Sequence, residues 1–525
     1  MMENDVSYLN LKEGIYEVRG AAGAGKTTKL VGDIKKLNSL KKHVAVISYS
    51  NAAIDELRSR IGNIDVLLST IHSFCWKILR PISMSVLNEW KKSTEFIPDA
   101  LVDCEISALN DVTTIKYGEI GHANFNKNSG ELWLSHDDVI KLFIFSLDNI
   151  HNFPNIIAGS FDYILIDEYQ DTNGDFLREV FDNLSKSLVV GIYGDPCQSV
   201  YLNKNIDPIN IEEEKDKHNI FQKKLNSNFR SKKNLVDLFN KTRESFDGIR
   251  QQESDKTIGN ISVFIRHGRL LEGNVKAIAN QKDFKNPVIL SLTNRLRTDI
   301  AGFSDIANKL RNCGSGRRPL DWTQVLRLDQ LNGNVKTIWN YSTIFYGSDY
   351  ETVSALFSIF SKDSIKNVSL ISIKNLIESQ KDRERSDINE FLELGLKLNP
   401  ELKNIKSLIK KFTNSDSNRV YDFYDSLEDI NTNNMTIFSA KGREFDDVIL
   451  NIDYGFYHDR NWDFINFNHN ENDKKNIESD IMFYLFYVGI TRAKSNLAIY
   501  INTKSNCMFL QKFKEKFKGL NYIEL

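Results

Sequence analysis

Residues 20–27 have the composition and spacing of a phosphate-binding loop. The alternating apolar residues 15–18 predict a strand before the loop, and residues 28–38 predict a helix after it. In that context, glycines let backbone N–H groups turn towards phosphates at a helix N-terminus, where the helix dipole adds to the attraction. A lysine and a threonine that end the loop would reach the β- and γ-phosphates and hold Mg²⁺. The loop residues are Gly20, Ala21, Ala22, Gly23, Ala24, Gly25, Lys26 and Thr27.

Two more groups of polar residues follow apolar stretches that predict buried strands. Residues 161–166 lead into Asp167 and Glu168, and residues 188–193 lead towards Gln198. Because the carboxyl ends of parallel strands share one edge of a sheet, these side chains should lie near the phosphate loop. Asp167 would bind Mg²⁺ directly or through water, and Glu168 would orient or deprotonate the attacking water. Gln198 would sense the γ-phosphate through its side-chain amide.

The first part of the chain contains two further candidate strand ends, after residues 44–48 and 64–68. The polar residues at these ends are Ser50, Asn51, Thr70, His72 and Ser73. A single histidine at a strand end usually makes only a local hydrogen bond, whereas the alternating strand and helix pattern around it favours a ligand role. The residues alone leave both interpretations of His72 open.

The composition limits the class of protein. A chain of 525 residues with 41% hydrophobic residues is long enough for about three or four structural modules. Its 68 basic and 70 acidic side chains give a net charge of −2, so a nucleic-acid site would have to be local. The cysteines lack C-x-x-C spacing, which favours neither a zinc site nor disulfides. Since the sequence has no apolar run of about 18 residues, we expect a soluble, cytoplasmic protein with no membrane partner.

Three later stretches complete a set that is typical of one enzyme family. Residues 228–231 read Asn-Phe-Arg-Ser, residues 436–445 contain Ser-Ala-Lys-Gly-Arg-Glu-Phe, and residues 487–494 read Tyr-Val-Gly-Ile-Thr-Arg-Ala-Lys. The set resembles motifs I to VI of the UvrD/Rep-like superfamily 1 DNA helicases, in the family's order and over nearly the full chain. The earlier members of the set are residues 20–28, 49–53, 70–74, 167–171 and 194–201.

The resemblance implies an α/β fold with two RecA-like P-loop NTPase domains, each with a parallel sheet and a mostly helical insertion. Domain 1A would comprise residues 1–75 and 161–230, with insertion 1B at residues 76–160. Domain 2A would comprise residues 231–313 and 435–525, with a reduced insertion 2B at residues 314–434. We also expect residues 212–217, a mixed charge run, to form a solvated loop, and residues 496–501 to be the last strand of the second sheet.

The resemblance also implies roles for individual residues. ATP would lie between the two sheets, with the phosphate loop on one side and two arginines approaching the γ-phosphate from the other. The implied catalytic residues are Lys26, Asp167, Glu168, Gln198, Arg230 and Arg492, with Thr27 and Asp167 at the metal. The implied nucleotide contacts are residues 20–28 including Thr28, together with Phe229 on adenine, Glu444 on ribose, Arg230, Gly442 and Arg492. The implied DNA contacts are Ser50, Asn51, Thr70, His72, Ser73, Tyr201, Thr436 and Ser439.

The sequence departs from the family pattern in a few places. No glutamine occurs in residues 1–19, where relatives carry one that recognises the adenine edge, and this argues against a strict preference for ATP. Tyr201 is followed by Leu202 and Asn203, where many relatives have a tryptophan that stacks on a base, a contact worth about 1–3 kcal/mol. Phe438 stands where histidine is common. The nucleotide-binding residues therefore match the family more closely than the DNA-binding residues.

The function that the resemblance implies is an ATP- and Mg²⁺-dependent translocase or helicase on single-stranded DNA or a 3′-tailed duplex, moving 3′ to 5′. An alternative is an ATPase switch, gated by DNA or by a partner, within a larger repair or antiphage complex. The helicase-like subunit that accompanies the nuclease of the Gabija system is an example. A P-loop kinase explains the sequence less well, because two arginine motifs would have no obvious phosphoacceptor to serve.

Overall fold

The computed structural model describes residues 7–93, 96–102, 106–118, 123–200, 209–267, 275, 278, 284–314, 318–326, 331–346, 414–428, 433–453, 474–503 and 508–525. Its strands are β1 (Gly14–Gly20), β2 (Val44–Ser48), β3 (Leu67–Thr70), β4 (Thr114–Lys116), β5 (Asn124–Asn126), β6 (Glu131–Trp133), β7 (Tyr163–Asp167), β8 (Val189–Gly194), β9 (Phe221–Leu225), β10 (Ser227–Lys232), β11 (Gln252–Asp255), β12 (Asn260–His267), β13 (Val288–Ser291), β14 (Asn434–Thr436), β15 (Phe445–Asp453), β16 (Ala493–Thr503) and β17 (Asn521–Glu524). Its α-helices are α1 (Lys26–Ser39), α2 (Asn51–Ile61), α3 (Ile71–Leu79), α4 (Ser83–Trp90), α5 (His136–Asn149), α6 (Phe153–Ser160), α7 (Gly174–Leu184), α8 (Ile211–His218), α9 (Lys233–Arg243), α10 (Asn294–Ala301), α11 (Ser304–Arg311), α12 (Thr323–Leu326), α13 (Gly333–Tyr346), α14 (Asn414–Glu428), α15 (Lys474–Ile490) and α16 (Met508–Lys516).

The first large sheet contains six parallel strands in the order β3-β2-β7-β8-β1-β9. Helices α1 and α2 pack on one face, and α3, α5 and α7 pack on the other. The central strands are apolar on both faces because both faces are covered. In register, Arg19 lies opposite Gly194 and Asp167 lies opposite Tyr193. The phosphate loop and the segments after β7 and β8 therefore meet at one edge of this sheet.

The second large sheet has the same architecture. Its six parallel strands run in the order β14-β13-β15-β16-β12-β17, with apolar clusters on both faces. Helices α9, α15 and α16 pack on one of these faces. The chain is thus an α/β protein with two RecA-like lobes. Below, the first lobe is the first sheet with its helices, and the second lobe is the second sheet with its helices, together with the short β10–β11 pair.

Three local features differ from the sequence-based expectations. Residues 76–160 contain helices but also a three-stranded sheet in the order β4-β6-β5. Residues 212–217 belong to helix α8, so the loop expectation was wrong. Asn210 caps α8 by accepting the Glu212 N–H at 3.1 Å, and acidic residues in its first turn with basic residues in its last complement the helix dipole. The second sheet ends with β17 beside β12, so residues 496–501 are not its last strand.

The limits of the two RecA-like domains and their insertions stay a prediction. Most of the expected insertion 2B, residues 347–413, lies outside the described residues. Within the part of the chain that the structure describes, none of the helices combines the length and apolarity needed to cross a membrane.

Candidate nucleotide site between the lobes

A cavity of about 580 Å³ lies between the two lobes, at the carboxyl edge of the first sheet. Residues from both lobes line it, as expected for a site that closes around a ligand. The expected site residues that line it are Ala22, Gly23, Ala24, Gly25, Lys26, Thr27, Thr28, Ser50, Asp167, Glu168, Gln198, Phe229, Arg230, Gly442, Glu444 and Arg492. Gly20 and Ala21 lie behind the cavity, where their carbonyls accept hydrogen bonds from the Lys26 side chain and the Ala24 N–H.

The phosphate loop has the backbone that its glycines permit. Gly23 and Gly25 have φ values of 77° and 80°, and α1 begins immediately afterwards at Lys26. A Cβ at Gly23 would come within 2.9 Å of the Arg230 Cβ, so the loop needs glycine there to lie against the second lobe. The ammonium of Lys26 is buried and donates to the Gly20 carbonyl at 2.9 Å. Backbone N–H groups, a cation and the helix N-terminus thus face one space, which suits a polyphosphate.

Two carboxylates follow β7 directly. Asp167 is buried, and its burial together with neighbouring Glu168 raises its pKa to about 7, although Lys26 opposes this. Burial alone would raise the pKa of Glu168 as well, but Lys26 and Lys441 hold it below its ordinary value. Glu168 has a φ of 51°, a strained conformation for a non-glycine residue. Asp167 and Thr27 both line the cavity, and a carboxylate and a hydroxyl are hard oxygen ligands of the kind that Mg²⁺ prefers, so the site fits this ion.

Two arginines reach the cavity from the second lobe. Arg230, on β10, donates to Glu444 at 2.7 Å and to the Thr491 carbonyl at 3.0 Å. Arg492 is buried and donates to the Gln198 Oε1 atom at 2.9 Å, which joins the two lobes directly. Burial and the nearby charge of Arg230 lower the pKa of Arg492 to about 9. The guanidinium of Arg492 is therefore buried away from water, where an anionic ligand would stabilise its charged form.

Phe229 and Glu444 lie at the open side of the cavity. Phe229 is 69% exposed, although it is a large apolar residue. Its backbone N–H donates to the Gly23 carbonyl at 2.9 Å, so the ring is held beside the phosphate loop. The Glu444 side chain is 47% exposed and is already paired with Arg230. An exposed aromatic face next to a phosphate cradle suits a nucleobase.

Sequence reasoning missed two cross-lobe contacts. The Ala22 carbonyl accepts the side-chain amides of Asn228 at 3.0 Å and Gln251 at 3.1 Å. Lys441 forms an ion pair with Asp171 and donates to the Gln198 carbonyl at 2.8 Å. Asn228 and Lys441 lie within the motif stretches at residues 228–231 and 436–445, so their positions in those motifs could have indicated a role. Nothing in the local sequence marks Gln251.

The expected DNA-contacting residues fall into two groups, and several of them make local bonds. Ser50 caps α2 by accepting the Ala53 N–H at 3.2 Å, and Thr70 caps α3 by accepting the Ser73 N–H at 3.4 Å. Asn51 is the exposed first residue of α2. In the second lobe, the hydroxyls of Thr436 and Ser439 are hydrogen-bonded at 2.9 Å. Tyr201 lies outside the described residues.

His72 packs against a second histidine. Its ring centroid lies 4.5 Å from that of His136, whose Nδ1 is 2.6 Å from the Tyr117 hydroxyl oxygen. Burial, and to a smaller extent His136, lowers the pKa of His72 to about 4, so the ring is neutral at pH 7. The local-contact interpretation of His72 has a physical basis, and a DNA contact by this ring would not depend on a positive charge.

Comparison with known proteins gives the class of this chain. Residues 6–204 match the model of an AAA domain, and residues 334–504 match the model of the UvrD-like helicase C-terminal domain. Together the two ranges cover more than half of the chain and contain the phosphate loop, both carboxylates, Gln198 and Arg492. The chain belongs to the UvrD-like superfamily 1 helicases and is an ATP hydrolase of the DNA helicase type.

Three relatives show how far the similarity extends. The Gabija protein GajB of Bacillus cereus (strain HuB5-5) is 22% identical over 667 aligned positions, which cover 97% of this chain and 96% of GajB. The ATP-dependent DNA helicase PcrA of Leuconostoc citreum is 25% identical over 275 positions, covering 43% of this chain and 37% of PcrA. PcrA of Bacillus subtilis (strain 168) is 27% identical over 277 positions, covering 43% and 36%. The chain therefore matches only about a third of the length of these PcrA proteins.

Proposed function

We propose that this ATPase moves along single-stranded DNA in the 3′ to 5′ direction by opening and closing its inter-lobe cleft. The observation that carries the proposal is the shared cavity, where Arg230 and Arg492 of the second lobe face Lys26 of the first. A bound triphosphate would neutralise positive charge from both lobes, and its hydrolysis would remove part of that attraction. The two lobes would then change their separation once per turnover.

In this proposal, each cavity residue has a defined task in hydrolysis. Lys26 holds the β- and γ-phosphates, and Thr27 and Asp167 hold Mg²⁺, which supplies positive charge next to the phosphate oxygens when it is bound. Glu168 orients or deprotonates the attacking water, and Gln198 senses the γ-phosphate. Arg230 and Arg492 stabilise the charge that develops on the phosphoryl oxygens, a role for which planar guanidinium groups are suited. Phe229 stacks on the base, and Gly442 and Glu444 lie at the ribose.

The DNA strand would cross both lobes at the carboxyl ends of their sheets. Residues on the first lobe, Ser50, Asn51, Thr70, His72 and Ser73, would contact it on one side. Thr436 and Ser439 would contact it on the other side, and Tyr201 would stack on a base. Alternating grip between the lobes would then convert cleft closure into a step along the strand. We place the protein in the cytoplasm, where this substrate occurs in bacteria.

The direct test is the rate of ATP hydrolysis with and without single-stranded DNA. We expect single-stranded oligonucleotides to raise the turnover number, and blunt duplex DNA to have little effect. Polarity is measured by streptavidin displacement from oligonucleotides that carry biotin at either end, and faster displacement from the 5′ end is expected for 3′ to 5′ movement. A turnover number that single-stranded DNA does not change would contradict the translocase proposal.

A second candidate function is an ATPase subunit gated by a partner protein in an antiphage complex. The observation in its favour is the end-to-end match to the Gabija protein GajB, which contrasts with the partial matches to PcrA. A nuclease would be the partner. This candidate predicts that DNA leaves the turnover number of the isolated chain unchanged, whereas a nuclease that copurifies with it changes that number. Expression together with the genes on either side of this one tests whether such a nuclease copurifies.

A further inference from the structure

Arg243 is a buried cation that none of the helicase motifs contains. It is the last residue of α9 in the second lobe and is 1% exposed. Its guanidinium makes five hydrogen bonds, one for each of its N–H groups. The bonds run to Asp195 at 2.8 and 3.1 Å, to Asp247 at 2.6 and 2.7 Å, and to the Tyr487 hydroxyl at 3.1 Å. Because every N–H group of the guanidinium has an acceptor, the hydrogen bonds hold the Arg243 side chain in one position.

The partners of Arg243 lie on both sides of the cleft. Asp195 follows β8 in the first lobe and is fully buried. Tyr487 lies on α15 of the second lobe, the helix that leads to Arg492, and its ring lies 5.5 Å from the Arg243 Cζ atom. Arg243 thus fastens the carboxyl edge of the first sheet to the helix that positions an arginine of the cavity.

Asp195 transmits this contact to Gln198. Its Oδ2 atom accepts both from Arg243 and, at 2.7 Å, from the Nε2 atom of Gln198. The other end of the same amide, Oε1, accepts from Arg492 at 2.9 Å. Because a carboxylate only accepts and a guanidinium only donates, these two partners fix one orientation of the Gln198 amide. The hydrogen-bonded chain therefore runs from Arg243 through Asp195 and Gln198 to Arg492.

We propose that Arg243 is a positioning residue for ATP hydrolysis, which acts through Asp195 to hold the Gln198 amide in the orientation that meets Arg492 when the lobes close. Arg243 does not line the cavity, so its influence on turnover is indirect. The inference rests on the roles of Gln198 and Arg492 given under the proposed function, but not on movement along DNA. It therefore concerns the basal hydrolysis rate.

The test is the Arg243→Lys variant, assayed without DNA. Lysine keeps the charge but has a single nitrogen, so it cannot hold both oxygens of Asp195 together with Asp247 and Tyr487. We expect kcat to fall about 10- to 100-fold, with the affinity for a non-hydrolysable ATP analogue changed less than about threefold. Arg250→Lys is the matched control, because Arg250 forms an exposed ion pair with Glu244. The control should keep the wild-type kcat.

A double-mutant cycle with Gln198→Ala separates positioning from general destabilisation. If Arg243 acts through Gln198, the Arg243→Lys/Gln198→Ala double variant will be no slower than Gln198→Ala alone. Multiplied losses in the double variant, or an equal loss of nucleotide affinity and kcat in Arg243→Lys, would overturn the proposal. Should Arg243→Lys not fold, Tyr487→Phe removes one acceptor and keeps the ring, and the same cycle applies. A wild-type rate that DNA does not change would contradict the translocase proposal but would leave this comparison valid.

Discussion

At the scale of single residues, the cavity depends first on one lysine. Lys26 is the cation of the phosphate loop, and its buried ammonium makes one hydrogen bond, to the Gly20 carbonyl. We expect Lys26→Ala to lower kcat for ATP hydrolysis at least about 100-fold, because the charge that faces the phosphates is lost. The measurement is phosphate release by the purified variant. Lys35→Ala, an exposed lysine on the same helix, serves as the control and should keep normal turnover. Retained turnover in Lys26→Ala would contradict the phosphate-loop assignment.

Arg492 should affect the rate more than binding. We expect Arg492→Ala to bind a non-hydrolysable ATP analogue within about threefold of wild type while kcat falls about 10³-fold or more, as for other arginines that act in the transition state. The variant should be compared by equilibrium titration and single-turnover hydrolysis. An affinity loss as large as the rate loss would count against a role at the γ-phosphate.

The pKa of Arg492 gives this residue a pH signature. Because burial and Arg230 lower its pKa to about 9, Arg492 is charged at pH 7 and loses its proton as the pH rises through 9. We expect kcat/KM for ATP, which reports the free enzyme, to fall between pH 8 and 10, in parallel with the loss of the positive charge. The profile should be compared with that of Arg492→Ala, whose residual rate should lack this decline. The same decline in the variant would assign the titration to another group.

Residues with motif-based roles could be located from the sequence, whereas those that hold them in place could not. The loop pattern, the strand end with Asp167 and the helix end with Arg492 are each contained in a few neighbouring positions. Arg243 contacts Asp195, which is 48 positions away in the sequence, and Gln251 contacts Ala22, which is 229 positions away. Only folding brings these pairs together, so no local pattern marks them.

At the scale of elements, strongly periodic segments were predictable and short ones were not. The apolar runs of β2, β7 and β8 are buried throughout, which a sequence pattern shows well. Helix α8 was missed because its charged residues conceal the two buried positions, Ile211 and Glu214. Strand β17 depends on pairing with β12, and the small sheet depends on β6 having a partner on each side. Tertiary context decides such elements.

The contact between α3 and α5 should make folding stability depend on pH through His72. Its pKa of about 4 in the fold lies below the ordinary 6.5, so the unfolded chain binds a proton that the folded chain does not between these values. His72 therefore has no effect on the free energy of unfolding above about pH 6.5, and it lowers that free energy as the pH falls from 6.5 towards 4. We expect the wild type to lose about 1–2 kcal/mol relative to His72→Gln between pH 7 and pH 5. Denaturant unfolding at each pH measures the difference, and parallel curves would contradict the assignment.

At the scale of the whole molecule, the two lobes are joined by polar contacts around the cavity and by an apolar contact, in which Cys197 and Val200 of the first lobe pack in the core of the second. Arg492 meets Gln198, Arg243 meets Asp195, and Lys441 meets Asp171. Arg492, Gln198, Lys441 and Asp171 line the space expected for the nucleotide, whereas Arg243 and Asp195 lie outside it. The polar contacts around the cavity can be exchanged for contacts with a ligand at moderate cost, whereas the apolar contact at Cys197 and Val200 keeps the lobes together. The arrangement therefore suits a cleft that opens and closes.

Lys441 allows this closure to be tested without following catalysis. Its ion pair with Asp171 is almost dry, and burial raises the pKa of Asp171 to about 6 although Lys441 opposes this. Lys441→Met would leave that carboxylate buried without its cation, at a cost of about 1–3 kcal/mol to the closed form. We expect amide hydrogen exchange to become about 10- to 100-fold faster at residues 22–28 and 195–199 in the absence of nucleotide. Lys494→Met, which removes a surface ion pair with Asp446 within the second lobe, is the control.

Bound ATP analogue should restore slow exchange in Lys441→Met, because phosphate contacts from both lobes then replace the missing bond. Unchanged exchange in this variant would mean that the lobes do not depend on the ion pair for closure.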